Sequence, residues 1–213
     1  MDIIAVIITY NPDLIQLQKT IDSLAEQVDR IIIINNGDTL FSSILRDNCT
    51  FVNLGKNYGI AYAQNRGIEK ALKLSAKFIV LSDQDTIFPE RYVEKILLVY
   101  NSLQYRHIAA LVPVFYDLEK ELKSPIMLTK FSFTYDYSKI YTRTAQAISS
   151  GSFIITNSLK KIGLMNEKLF IDYVDFEWCW RAIKLGYKIV TIPDIIIEHH
   201  LGDNIIRAGK KKI

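Results

Sequence analysis

Short, strongly apolar runs separated by amphipathic stretches set the rhythm of the first half of the chain. Residues 3–9, 31–35, 51–53, 78–82 and 108–113 are rich in Ile and Val over strand-like lengths, and their lack of alternation predicts burial on both faces. Leu14, Leu17, Ile21 and Leu24 recur at steps of three and four and build one helical stripe, with Asn11 expected as N-cap and Pro12 as the first helical residue. Residues 58–74 and 89–103 repeat the helical pattern. The β-α-β-α order predicts an α/β fold with a Rossmann-like, mostly parallel central sheet flanked by helices.

The second half changes texture. Phe131, Phe133, Tyr135 and Tyr137 alternate strictly, as one face of a strand or hairpin does. A face packed on the core is the favoured expectation, ahead of a platform stacking on a sugar ring. Residues 152–156 read as a short strand and 175–185 as a helix stopped by Gly186. Segments 187–192 and 195–198 read as the closing strands.

The 213 residues carry no internal repeat or linker-like stretch, so a single domain is expected. Its nucleotide half would span about 1–115 and its acceptor and catalytic half about 116–213. A net charge of +3 gives no argument for nucleic acid. The run Lys210-Lys211-Lys212 is a solvated end or, at most, a peripheral contact with anionic lipid. Two cysteines, Cys49 and Cys179, lack the spacing of a zinc site and fit a reducing cytoplasm. No apolar run approaches the ~18 residues of a membrane span.

Ligands of open parallel sheets bind beyond the carboxyl ends of the strands, and those ends are polar here. They read Thr9-Tyr10-Asn11, Asn35-Asn36-Gly37-Asp38, Asn53 and Ser82-Asp83-Gln84-Asp85. No dinucleotide or P-loop glycine signature is present. Asp83 and Asp85 offer hard oxygen ligands for Mg²⁺ or Mn²⁺, which commonly bind one or two carboxylates plus substrate phosphates. Asp175, near the start of a helix, is expected to stay ionised in the field of the helix dipole and to serve as a base. Glu177 and Arg181, four residues apart, are expected to form a helix-stabilising ion pair. His199 and His200 stand together before Gly202, and His199 is a candidate to complete a cation's ligand set, with a structural role left open.

These blocks resemble the inverting family 2 glycosyltransferases of the glycosyltransferase A fold, and among them the bacterial rhamnosyltransferases. The resemblance runs through Val6-Ile7-Ile8-Thr9-Tyr10-Asn11, through Asn57-Tyr58-Gly59-Ile60-Ala61-Tyr62-Ala63-Gln64-Asn65-Arg66-Gly67 and through Asp83-Gln84-Asp85. It continues in Gly151-Ser152-Phe153-Ile154 and in 170–181. Asn35 stands where the family has an Asp. The resemblance implies a donor site of Thr9, Tyr10, Asn11, Asn35, Asn57, Asn65, Asp83 and Asp85. It implies a Mn²⁺ or Mg²⁺ on Asp85, Asp83 and His199, and Asp175 as catalytic base. Gly151, Asp172 and Trp178 would lie on the acceptor side. The implied donor is dTDP-rhamnose first and a UDP-linked hexose or N-acetylhexosamine second. The acceptor would be a glycan or lipid-linked saccharide, and the implied location is cytoplasmic, at the inner face of the membrane. A nucleotidyltransferase is the second enzyme reading, disfavoured because no basic glycine-rich loop follows the first strand. A non-catalytic binding module on the same scaffold is the third, disfavoured because Asp85 and Asp175 are both present.

Overall fold

The computed structural model describes residues 2–41, 46–118 and 120–199. In chain order the elements are β1 (Ile3–Thr9), α1 (Leu14–Ala25), β2 (Arg30–Asn35), β3 (Cys49–Asn53), α2 (Ile60–Lys73), β4 (Phe78–Asp83), β5 (Thr86–Ile87) and α3 (Tyr92–Ser102). There follow β6 (Ile108–Asp117), β7 (Leu122–Lys123), β8 (Ile126–Met127), β9 (Phe133–Thr134), β10 (Thr142–Thr144) and β11 (Phe153–Ile155). The last are α4 (Thr156–Ile162), α5 (Val174–Lys184) and β12 (Lys188–His199).

The main sheet runs β3-β2-β1-β4-β11-β6-β12-β10. β1 pairs in parallel with β2 on one side and β4 on the other, Val6 lying beside Ile32 and Leu81. β11 is antiparallel to both neighbours, so β6 and β12 run in the same direction as β4. This is the Rossmann-like, mostly parallel central sheet flanked by helices that the sequence predicts. All seven residues of β1 are buried because both faces are covered. Its odd residues Ile3, Ala5 and Ile7 join a core with Leu17, Ile21 and Leu24 of α1 and Tyr92 and Ile96 of α3. Its even residues Ile4, Val6 and Ile8 join a second core with Ala63 and Ile68 of α2, Leu159 of α4 and Trp178 of α5. Gly67 lets α2 lie close on the sheet: a Cβ there would stand 2.2 Å from Val6 Cγ1.

Four expectations are corrected. The cap of α1 is Asp13, whose Oδ1 accepts from the amides of Ile15 and Gln16 at 2.8 and 3.0 Å. Asn11 instead turns the chain at φ 45°, a conformation that Asn tolerates better than most residues. β6 continues through Pro113 to Asp117. The two closing strands are one, β12, whose pairing with β6 shifts register between Ile192 and Ile196. Pro193, which has no N–H to donate, stands at that irregularity. Finally, the alternating aromatics do not pack on the core: Phe131, Phe133 and Tyr135 are 95%, 55% and 58% exposed. Among the described residues no helix is long and apolar enough to cross a membrane.

Candidate active site

At the carboxyl ends of β1 and β4 lies a cleft of about 350 Å³, lined by Thr9, Tyr10, Asn57, Asp83, Gln84 and Asp85. Its walls are tied together by amides. Gln84 Oε1 accepts from the Tyr10 amide at 2.8 Å, which joins the loop after β1 to the loop after β4. Asn36, after β2, donates from Nδ2 to Asn57 Oδ1 at 3.0 Å and accepts from the Tyr58 amide at 2.9 Å. Asn57 Oδ1 also accepts from the Gly59 amide at 2.9 Å, fixing the turn into α2.

The far wall is a segment that the sequence reading did not single out for this cleft. Phe170 and Ile171 line it, and Phe170 O accepts from the Ile60 amide at 2.8 Å. The approach depends on Gly59, at φ 89°, where a Cβ would stand 2.6 Å from Phe170 O. The glycine visible in the sequence therefore identifies a close backbone approach, while its partner 111 positions later left no local signal.

Several residues expected to touch the donor are placed inside the framework instead. Asn35 is fully buried. Its Oδ1 accepts from Thr9 Oγ1 at 3.2 Å, and its Nδ2 donates to Thr39 O at 2.7 Å and Asn53 Oδ1 at 2.8 Å. It joins three strand ends rather than facing a base. Thr9 itself is buried, though it borders the cleft. Asn65 is 2% exposed and does not line the cleft. It donates to Met165 O and Glu167 Oε1 at 3.0 and 2.8 Å and accepts from the Met165 amide at 2.8 Å. Asn11 is exposed and lies beside Gly37, outside the cleft lining.

Asp175 occupies the first turn of α5, half-buried. Its Oδ2 accepts from the Ser149 amide at 3.2 Å and its Oδ1 from the Phe176 amide at 2.8 Å. Burial pushes its carboxyl above the usual aspartate range, against the pull of those amides. The expected dominance of the helix dipole is thus reversed by desolvation, and the group becomes a stronger base once deprotonated. The next residue along the chain, Ser150, is buried, accepts from the Asp83 amide at 3.1 Å and shares a 2.6 Å bond with Thr86 Oγ1. Gly151 continues this brace, its carbonyl accepting from Tyr92 Oη at 2.6 Å. Consecutive residues thus hold the carboxylate of α5 and the end of β4.

Of the expected acceptor-side residues, Asp172 is exposed. Trp178 is not available to an acceptor: it is 3% exposed in the core, with its indole N–H on Gly163 O at 3.1 Å. Helical geometry turns it inward, whereas Trp180, two residues on, is only half-buried and donates to Gln146 Oε1 at 3.0 Å. Arg181 is bound bidentately by Glu177 at 2.8–2.9 Å and also donates to the carbonyls of Ile162 and Leu164 at the end of α4. The ion pair is therefore also a helix C-terminal cap.

The donor chemistry of Asp83 and Asp85 suits a hard divalent cation. Both carboxylates border the cleft, and among the described residues no group of three His, Cys, Asp or Glu gathers to hold an ion unaided. A cation here would need ligands from outside the chain, as Mg²⁺ and Mn²⁺ take them from phosphates. The backbone of His199 stands in register with Thr86 on one side and Asp117 on the other. Its side chain lies outside the described residues, as does all of His200.

The sequence model of the family described as "Glycosyl transferase family 2" matches residues 4–163. The chain is 36% identical over 219 aligned positions to "dTDP-rhamnosyl transferase RfbF" of Shigella flexneri, spanning 97% of this chain and 71% of that protein. Among solved structures it is similar to "GalNAc-T7 with UDP, GalNAc and Mn2+", at TM-score 0.72 and 15% identity over 94% of this chain and 44% of that one. It is also similar to "S. aureus TarS", at TM-score 0.69 and 16% identity over 94% of this chain and 37% of that one. The chain spans less than half of either structure, and at such identities the likeness concerns the fold. With the family match covering most of its length and the relative covering nearly all of it, the chain belongs to glycosyl transferase family 2 and is a glycosyltransferase.

Proposed function

We propose that this enzyme transfers rhamnose from dTDP-rhamnose, with inversion, to a hydroxyl of a glycan or lipid-linked saccharide in cell-surface polysaccharide synthesis at the cytoplasmic face of the membrane. The observation that carries the mechanism is the brace through Ser149 and Ser150, which holds Asp175 and the Asp83 end of β4 in one unit. The donor follows from the 36% identity to a dTDP-rhamnosyl transferase.

In this reading the cleft between Tyr10, Asn57 and Asp83 receives the nucleoside diphosphate, and Asp85 with Asp83 holds the divalent cation, Mn²⁺ or Mg²⁺. When bound there, the cation would supply positive charge against the negative charge developing on the leaving diphosphate. Asp175 accepts the proton of the acceptor hydroxyl as that oxygen bonds to the anomeric carbon. The bond from that carbon to the diphosphate oxygen breaks, its electron pair leaving with the diphosphate. Phe170 and Ile171 form the apolar wall of the cleft on the side of α2.

The test is release of nucleoside diphosphate from dTDP-rhamnose and from UDP-linked hexoses and N-acetylhexosamines, with Mn²⁺ or Mg²⁺. Faster release from dTDP-rhamnose supports the reading. Faster release of UDP assigns a different donor, and failure of every nucleotide to bind overturns the donor site.

A further inference from the structure

The segment between β6 and β10 carries a surface that the transfer site leaves unused. On its inner side Ile126 is 2% exposed and lines an apolar cavity of about 200 Å³ together with Val114, Met127 and Phe176. On its outer side the turn joining β8 to β9 presents Phe131 at 95% exposure, with Leu128 at 48%. The turn is fixed: Thr129 Oγ1 accepts from the amides of Phe131 and Ser132 at 3.1 and 3.0 Å, and Leu128 donates to Ser132 O at 2.9 Å. Phe133 and Tyr135 follow in edge-to-face contact at 5.5 Å, and Ile140 is 69% exposed. Scattered exposed apolar residues are ordinary, but this number between Leu128 and Ile140 marks an interaction surface.

Its charge selects the partner. Residues 122–143 contain Lys123, Lys130, Lys139 and Arg143, all exposed, against a single acid, Asp136. Asp136 is itself turned onto the amide and hydroxyl of Ser138 at 3.0 and 2.6 Å. A second copy of the chain meeting this face with its own would bring like charges together, as a two-fold interface requires. An anionic surface with an apolar interior satisfies both features, since aromatic rings settle at the lipid–water boundary and basic residues gain from acidic headgroups.

We propose that this hairpin and the segment that follows it dock the enzyme on a bilayer containing anionic lipid, with Phe131, Phe133 and Leu128 entering the interface and Lys130 facing the headgroups together with Lys139 and Arg143, which share a groove with Leu128. Lys130 lies 3.9 Å from the centre of the Trp180 ring, so the docked hairpin is joined to α5, the helix that carries Asp175. The proposal does not depend on the identity of donor or acceptor.

The test is sedimentation of the full chain with vesicles of phosphatidylethanolamine and phosphatidylglycerol, and separately with phosphatidylcholine vesicles, in the absence of donor. The variants are Phe131→Ser with Phe133→Ser, Lys130→Gln with Lys139→Gln, and a control in which Lys210, Lys211 and Lys212 become Gln. The wild type and the control should bind the phosphatidylglycerol vesicles, and each hairpin variant should lose binding on the order of ten-fold at an unchanged melting temperature. Absence of binding to those vesicles overturns the proposal, as does loss of binding in the Lys210–Lys212 control alone. A lipid-free dimer that Phe131→Ser with Phe133→Ser dissociates would also overturn it and assign the hairpin to self-association.

Discussion

The amide of Ser149 donates to Asp175 Oδ2 at 3.2 Å, and through the adjoining Ser150 the same loop accepts the Asp83 amide. The carboxylate proposed as base is thus positioned from the strand that ends in the D-x-D sequence, although 92 residues separate Asp175 from Asp83. Asp175→Asn keeps the shape and one acceptor oxygen while removing the base. Transfer should fall by roughly 10² to 10⁴, the usual worth of general-base help, with nucleoside diphosphate affinity retained. Equal loss of affinity and turnover in a binding and rate comparison would show that Asp175 holds the donor instead.

Burial raises the Asp175 carboxyl above the ordinary aspartate range, and the sign of the pH effect follows. Below its pKa the group is protonated and cannot accept the acceptor's proton, so kcat/KM should decline on the acid side with an inflection above that of a solvent-exposed aspartate. The same shift opposes folding as pH rises through it, because the folded state holds the proton more tightly than the unfolded state does. A pH–rate profile of the wild type, with the acid limb absent from the residual activity of Asp175→Asn, is the measurement.

In the proposed reading the divalent cation is held by Asp85 and Asp83, which border the cleft. A ligand present at a hundred times its dissociation constant stabilises the native state by ~2.7 kcal/mol, roughly 5 to 10 °C in a domain of this size. Thermal unfolding with dTDP should show such a rise with Mn²⁺ or Mg²⁺, little rise with chelator, and loss of the metal-dependent part in Asp85→Asn. A full rise in chelator would remove the cation from donor binding.

The sheet was legible because its strands are covered on both faces, so Ile3–Thr9 and Phe78–Asp83 stand out as unbroken apolar runs followed by polar ends. What a strand-end residue does was less legible. Asn35 and Asn57 look alike in sequence, yet one is consumed by Thr9, Thr39 and Asn53 while the other borders the cleft. Trp178 and Trp180 differ only in helical phase, and that phase was misassigned to the acceptor side. The helix α4 and the Ser149–Ser150 brace escaped because their partners are distant in the chain. The aromatic alternation was read as core because period two reports which residues share a face and not what covers that face.

Gly59 offers a test of the cleft wall. Gly59→Ala introduces a Cβ toward Phe170 O at 2.6 Å in a backbone conformation, φ 89°, that side chains disfavour. The variant should lose stability on the order of 2 kcal/mol and, because Phe170 and Ile171 are displaced from the cleft, should bind nucleoside diphosphate more weakly as well. Denaturant unfolding and nucleotide titration together check it. Unchanged stability with unchanged binding would show that the 170–171 segment is free to move away from α2.

Asn65 separates the placement found from the role expected by resemblance. It satisfies the amide and carbonyl of Met165 and a carboxylate oxygen of Glu167, all away from the cleft. Asn65→Ala would leave the buried Met165 groups without partners, at a cost of about 2 to 3 kcal/mol. Below its lowered melting temperature the variant should still bind dTDP within a few-fold of the wild type, because no atom of Asn65 borders the donor cleft. A direct diphosphate contact predicts the opposite pattern, a large fall in affinity with little change in stability. Measuring both quantities on this one variant therefore decides whether Asn65 of α2 serves the donor or serves the packing of the 165–171 loop, whose end borders the cleft.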